Sequence, residues 1–289
     1  MFLWDTDPFA RRLGKGIMDT IQGFHFADEV YCDKTADDDV CAMKVTAIGV
    51  GDAFGTGGRF HTCWRLDAGD RTVCVDFGAS SIVGWARTGR PTTDIDAVVI
   101  THLHGDHFGG LPFLLLESQF VARRSKPLVI AGPPGLTARL WMLCEAMFAG
   151  SSKIGWSFPL EIVEIQPGQP QRLADFDVAT TEVLHPSGAP STAVRLSAAG
   201  RTFAYSGDTA WVDALVDVAR NADLFVCECY SGEAPVPHHV DWPTLRKNLP
   251  CLTARSIMVT HLGETAFSKL DEIRAAGVGV AEDGLVREL

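Results

Sequence analysis

From Met43 onward the chain alternates short apolar runs with amphipathic stretches, whereas residues 1–42 carry no sustained period. The short runs predict strands at Val45–Val50, Thr62–Leu66, Thr72–Phe77, Ala97–Ile100, Leu128–Ala131, Glu161–Ile165, Val178–Leu184, Ala193–Leu196, Thr202–Ser206, Leu224–Glu228 and Ile257–Thr260. Apolar residues at helical spacing predict helices over Ile82–Arg87, Phe108–Ala122, the stretch "GLTARLWMLCEAMF" from Gly135, Val212–Arg220, Trp242–Asn248 and Phe267–Ala275. Within each half, strands come first and helices later. That order predicts an α/β chain of two sheets packed face to face, with helices outside.

The change of pattern at Met43 divides the chain into an N-terminal extension, 1–42, and a folded domain, 43–289. The extension holds the acidic stretch "DKTADDDV", and its Phe2, Leu3, Trp4, Phe24 and Phe26 are expected to pack on a surface. A chain of 289 residues buries a substantial core without covalent staples. The net charge of −11 argues against tRNA or another nucleic acid as partner, since counterion release needs clustered Lys and Arg. The compact basic run "RRSK", Arg123–Lys126, reads as a solvated helix end. There are 8 cysteines but no Cys-x-x-Cys pair, and the start of the chain has no continuous apolar signal region. A reduced, cytoplasmic protein is the expectation, with Cys227 and Cys229 pointing the same way as small apolar residues. No apolar run approaches the roughly 20 residues of a spanning helix, so no membrane partner is expected.

The densest chemistry lies in "DAVVITHLHGDHFGGLPFLLLE", Asp96–Glu117, where His102, His104, Asp106 and His107 follow a buried strand. Zinc takes nitrogen and oxygen ligands at about 2.0–2.2 Å, so its ligands must converge on one point. His102 and His104 alternate past Leu103 and can face one ion. Gly105 is expected to permit a tight bend, past which Asp106 and His107 face a second ion. Three further candidates end predicted strands: His185 in "TTEVLH", Asp208 after "FAYSGD" and His261 after "SIMVTH". The complete set is then His102, His104 and His185 on one ion, and Asp106, His107 and His261 on the other. Asp208 bridges them, as a carboxylate does between cations about 3.5–4 Å apart in a two-metal hydrolase. His25 and His61 lack a strand-end context.

These residues resemble the His-x-His-x-Asp-His signature of the metallo-β-lactamase-fold hydrolases, and the resemblance covers roughly residues 43–289. "CVDFGAS" is similar to the family's early strand-end Asp and Gly, which implies that Asp76 supports the metal site from behind. "YSGDT" and "VTHLG" resemble its bridging-Asp and final-His motifs. The fold this implies is a four-layer αβ/βα sandwich with a dinuclear metal site along one edge. Within the superfamily, "THLHGDHFGGLPFLL", "PLVIAGPPGL", "EVLHPSGAPSTAVRL" and "ADLFVCECYS" resemble the ribonuclease Z and phosphodiesterase branch. In ribonuclease Z a Glu at the place of Glu228 pairs with a His that assists proton transfer to the leaving group. The resemblance implies His239 for that His, with His238 as the alternative. Two departures weaken a tRNA-processing role. "STAVRLSAAGRTFAYSGDT" leaves no room for a tRNA-gripping arm, and "CECY" stands where the family has His-Glu-Ala-Thr.

The function expected is therefore a dinuclear metal-dependent hydrolase, a phosphodiesterase for a small or cyclic phosphodiester, with Asp106, Asp208, Glu228 and His239 as catalytic residues. Lactone or lactam hydrolysis and ribonuclease Z-like RNA cleavage are the alternatives. A non-catalytic metal protein fits less well, since a structural zinc site closes with four ligands. Two zinc ions suit the donors, with manganese or iron as alternatives. Ribonuclease Z-like proteins often pair, so the resemblance implies a homodimer. In "GDAFGTGGRF", Arg59 and His61 could touch substrate or simply serve the loop.

Overall fold

A computed structural model describes residues 42–289. Apart from Ala42, the N-terminal extension, its aromatic residues and His25 lie outside the described residues.

The chain lays down β1 (Met43–Gly49), β2 (Cys63–Ala68) and β3 (Arg71–Val75) as an antiparallel meander. There follow α1 (Ser81–Arg87), β4 (Ala97–Val99), α2 (Gly105–Phe108), α3 (Leu111–Phe120), β5 (Leu128–Gly132), α4 (Leu136–Met147) and β6 (Leu160–Glu164). The second half begins with β7 (Gln171–Leu173), β8 (Phe176–Val183), β9 (Ser191–Ala198) and β10 (Arg201–Tyr205). It continues through α5 (Ala214–Ala219), β11 (Leu224–Glu228), α6 (Trp242–Asn248) and β12 (Ile257–Thr260). It closes with α7 (Glu264–Phe267), α8 (Leu270–Ala275), β13 (Gly279–Val280) and β14 (Val286–Glu288).

Among the described residues these strands make two seven-stranded sheets, ordered β14-β1-β2-β3-β4-β5-β6 and β13-β12-β11-β10-β9-β8-β7. In each sheet four strands run parallel, β3 to β6 and β10 to β13. Side chains alternate across a strand, so each sheet presents two apolar faces. Trp64, Leu66, Val73 and Val99 of the first sheet meet Phe176, Val194, Phe203 and Val226 of the second. The opposite faces are covered by helices. Cys74, Val98 and Ile130 lie in one cluster with Trp85 of α1, Leu114 of α3 and Leu140 of α4. Phe225, Cys227 and Val259 lie in another with Leu215 of α5, Trp242 of α6 and Ile273 of α8. Each such buried Leu contributes roughly 1.5–3 kcal/mol relative to exposure. The result is the four-layer αβ/βα sandwich, and parallel strands covered on both sides explain the nearly continuous apolar runs "AVVI" and "LFVC".

Several expectations need correction. The helix read over Phe108–Ala122 begins only at Leu111, as α3, and Gly109–Gly110 separates it from the short α2 that ends at Phe108. A Cβ on Gly110 would lie 2.2 Å from the Gly78 carbonyl, and its N–H donates to the Phe77 carbonyl. Close backbone approach thus stops the helix. The helix read over Phe267–Ala275 shortens to α8, after α7 ends at Phe267. The helix expected at Val212–Arg220 shortens to α5. Strands β7, β13 and β14 have no predicted counterpart; each is too short to show a period.

Candidate metal centre

The ends of β3, β4, β8, β10, β11 and β12 lie on one edge of the sandwich, and each delivers a polar group there. After β4 the chain bends at Thr101, and His104 is extended (φ −88°, ψ 152°) before α2 begins. Leu103 is buried among the helix-side apolar residues, so the flanking His102 and His104 turn the other way. α2 then presents Asp106 and His107. Gly105 is not the bend residue expected: its φ is not positive, and an added Cβ would meet nothing within 4 Å.

The structure brings all seven predicted ligands together. His102, His104 and His185 form one group, and Asp106, His107, Asp208 and His261 another. Within each, potential ligand atoms lie within 4.8 Å of one another. His185 Nε2 is 3.0 Å from His104 Nδ1. His261 Nε2 is 3.2 Å from Asp106 Oδ2, and His107 Nε2 is 3.3 Å from the same oxygen. Asp208 Oδ2 sits between the groups. It is 3.3 Å from both His107 and His261, 3.8 Å from His102 and 4.0 Å from His185.

Buried polar groups ordinarily have partners. Here His102 Nε2, His107 Nε2 and Asp208 Oδ1 are buried and none makes a hydrogen bond. Convergent, unpartnered lone-pair donors fit divalent cations. Supporting groups orient the rings from behind. Asp76, held at φ 61°, accepts from the Thr101 N–H at 2.7 Å and pairs with His107 Nδ1 at 2.7 Å. The Thr101 hydroxyl also donates to Asp76, so it accepts from His102 Nδ1, 3.1 Å away. A hydroxyl has only one proton to give, and this leaves His102 Nε2 with its lone pair. His185 Nδ1 donates to the His238 carbonyl at 2.9 Å.

Electrostatics divide the cluster in the same way. Burial lowers the pKa of His102, His104 and His185, which favours the neutral ligand form. Burial also acts on His107 and His261, but the Asp208 and Asp106 carboxylates outweigh it. They raise His107 well above its usual value and His261 to about 9. In return, burial of Asp106 and Asp208 is outweighed by the neighbouring imidazoles, which hold both carboxyls below the usual range.

Beside the cluster, Glu228 ends β11 fully buried. It accepts from the Thr209 N–H at 2.7 Å, and its two oxygens lie 3.0 and 3.2 Å from His239 Nδ1. Burial lowers the His239 pKa, but the Glu228 hydrogen bond outweighs it and the net shift is upward. Of the two adjacent histidines, His239 faces Glu228, whereas the His238 side chain is exposed. The His239 ring stacks on His261 at 5.7 Å and 13°, and Tyr230 packs against it at 4.9 Å and 32°. Tyr230 and Thr101 are the participants sequence reasoning missed. The one signal for Tyr230 is its place two residues past Glu228 in "CECYS".

Other candidates make contacts within the fold. His61 and Ser80 exchange two hydrogen bonds, at 2.8 and 3.2 Å. The Arg59 guanidinium lies 4.6 Å over the Phe267 ring. Cys227 and Cys229 belong to the helix-side core of the second sheet. Among the described residues no helix is long and apolar enough to cross a membrane.

The family described as Anti-Pycsar protein Apyc1 matches residues 43–282. The chain is 26% identical over 193 residues to the probable metallo-hydrolase YhfI of Bacillus subtilis (strain 168), covering 65% of this chain and 72% of YhfI. It is 32% identical over 155 residues to the Anti-Pycsar protein Apyc1 of Paenibacillus sp. (strain J14), covering 52% of this chain and 61% of that protein. The crystal structure of YhfI, described as a metallo-β-lactamase fold protein, has a TM-score of 0.70 at 23% identity and covers 86% of this chain and 100% of its own. That of the short form of human tRNase Z also has a TM-score of 0.70 at 23% identity, covering 84% of this chain and 98% of its own. The likeness to these structures concerns the fold.

Proposed function

Because the chain belongs to the Anti-Pycsar protein Apyc1 family, on the metallo-β-lactamase fold shared with ribonuclease Z, we propose that it is a metal-dependent phosphodiesterase for a small or cyclic phosphodiester. The observation that carries this reading is the buried Glu228 at 3.0 Å from His239 Nδ1, beside the convergent His and Asp cluster.

In this reading His102, His104 and His185 hold one divalent ion, Asp106, His107 and His261 the other, and Asp208 serves both. The ions, zinc by donor type or else manganese or iron, would lower the pKa of a water and offset charge on phosphate oxygens. The chain's own residues supply the proton. Glu228 fixes the Nδ1 proton of His239 and favours the charged form of the ring. The Nε2–H then protonates the departing oxygen. Asp76 and Thr101 keep His107 and His102 in the orientation that leaves Nε2 available. A small substrate is favoured over tRNA because β9 and β10 are joined only by Ala199 and Gly200, both at positive φ. The net charge of −11 favours it too.

Hydrolysis of bis(p-nitrophenyl) phosphate by zinc- or manganese-loaded protein tests the reading, with a chelated sample and Asp208→Ala as controls. Turnover lost in both controls supports it. A protein that holds two ions and shows no turnover overturns it, and directs attention to lactones and lactams.

A further inference from the structure

The segment that carries His239 has an unusual backbone. The His239 N–H donates to the Val236 carbonyl at 3.2 Å, closing a four-residue turn. Pro237 occupies its second position and His238 its third, at φ 66°. A turn with Pro second and positive φ third follows the type II pattern, whose third position ordinarily takes Gly or Asn. A histidine there is strained, and strain of this kind persists where surrounding structure over-determines it. The His238 side chain is exposed, so packing of the imidazole does not explain the conformation. The main chain does have a role. The His238 carbonyl accepts from His185 Nδ1 at 2.9 Å, while the next residue places its own Nδ1 at 3.0 Å from Glu228.

We propose that His238 is a positioning residue acting through its main chain: the left-handed conformation aims its carbonyl at His185 and sets His239 against Glu228. The first contact holds the proton of His185 on Nδ1, so Nε2 keeps its lone pair and its direction toward His104 and Asp208. The second holds the proton-carrying ring. One turn thus braces a predicted metal ligand and the predicted proton donor together, and displacing it disturbs both. The inference rests on the assignment of His185 as a metal ligand.

The test compares the full-length chain with His238→Val, His238→Gly and His238→Asn. Each is loaded with Zn2+ and titrated with a chelator while bound zinc per chain is counted. Val resists positive φ; Gly and Asn accept it. In His238→Val one of the two ions is expected to leave at roughly tenfold lower chelator concentration, with the other unchanged. His238→Gly and His238→Asn are expected to keep the wild-type isotherm. The proposal is overturned if His238→Val matches wild type, if His238→Gly weakens as much as His238→Val, or if both ions weaken equally. A wild-type chain that binds fewer than two ions sinks the dinuclear assignment itself, an outcome distinct from failure of the brace.

Discussion

Asp208 lies within 4.0 Å of four imidazoles, so its carboxylate is where the two halves of the cluster meet. Asp208→Ala is expected to lose bound metal and to fall to the turnover of a chelated sample, read by metal analysis and hydrolysis of the same stock. His239 has a different signature. A proton donor matters most for a poor leaving group, so His239→Ala should cost on the order of a hundredfold or more with an alkyl ester and far less with p-nitrophenolate. Glu228→Gln removes the contact that raises the His239 pKa. A lower pKa means that the proton leaves sooner as pH rises. The alkaline limb of kcat should therefore move to lower pH, and an unmoved limb would remove His239 from the proton path. At this scale the seven candidate ligands were legible because ligand-type residues crowd at strand ends. The choice between His238 and His239 was not. It depends on a positive φ that the text "PVPHHV" does not encode. Tyr230 and Thr101 escaped because their parts come from ring packing and from one hydroxyl proton, which leave no spacing pattern.

Strands and helices were read wherever period and length sufficed, and misread where backbone contact decides. Gly109–Gly110 looked like an interior pair in one long helix, yet Gly110 sits against the Gly78 carbonyl and Phe77. Gly110→Ala should lower the unfolding free energy by about 1–3 kcal/mol, seen as a lower urea midpoint at unchanged slope. Gly105→Ala, with nothing within 4 Å of the new methyl, should leave that midpoint where it is. Equal loss from both would mean that crowding does not explain the break between α2 and α3. The three missed strands are held by their neighbours. β14, for instance, is all exposed and is defined by its pairing with β1. Pairing of this kind is non-local and leaves no local pattern to read.

Over the whole molecule, short apolar runs followed by helical stretches in each half made the two-sheet sandwich legible, whereas strand order depends on which edges meet. The charge arrangement also acts at this scale. Nearby buried carboxylates raise the pKa of His107 and His261, which favours their protonated forms. An incoming cation displaces those protons, so metal affinity should strengthen as pH rises toward about 9, where His261 gives up its own. Calorimetric titration in buffers of different ionisation enthalpy should show proton release on binding; no buffer dependence would contradict this. Metal binding to the folded chain should also raise the melting temperature, by about 2.7 kcal/mol of stability at a hundredfold excess over Kd. The pairing of β14 with β1 has one more consequence. The Leu289 N–H donates to the Met43 carbonyl at 2.9 Å, so the domain's first strand and its last residue are already tied together. The start of β1 and the end of β14 therefore lie side by side in one ladder. A short linker could join Leu289 to Met43, and the chain could be opened instead between Ala199 and Gly200. Such a permuted chain keeps every ladder of both sheets.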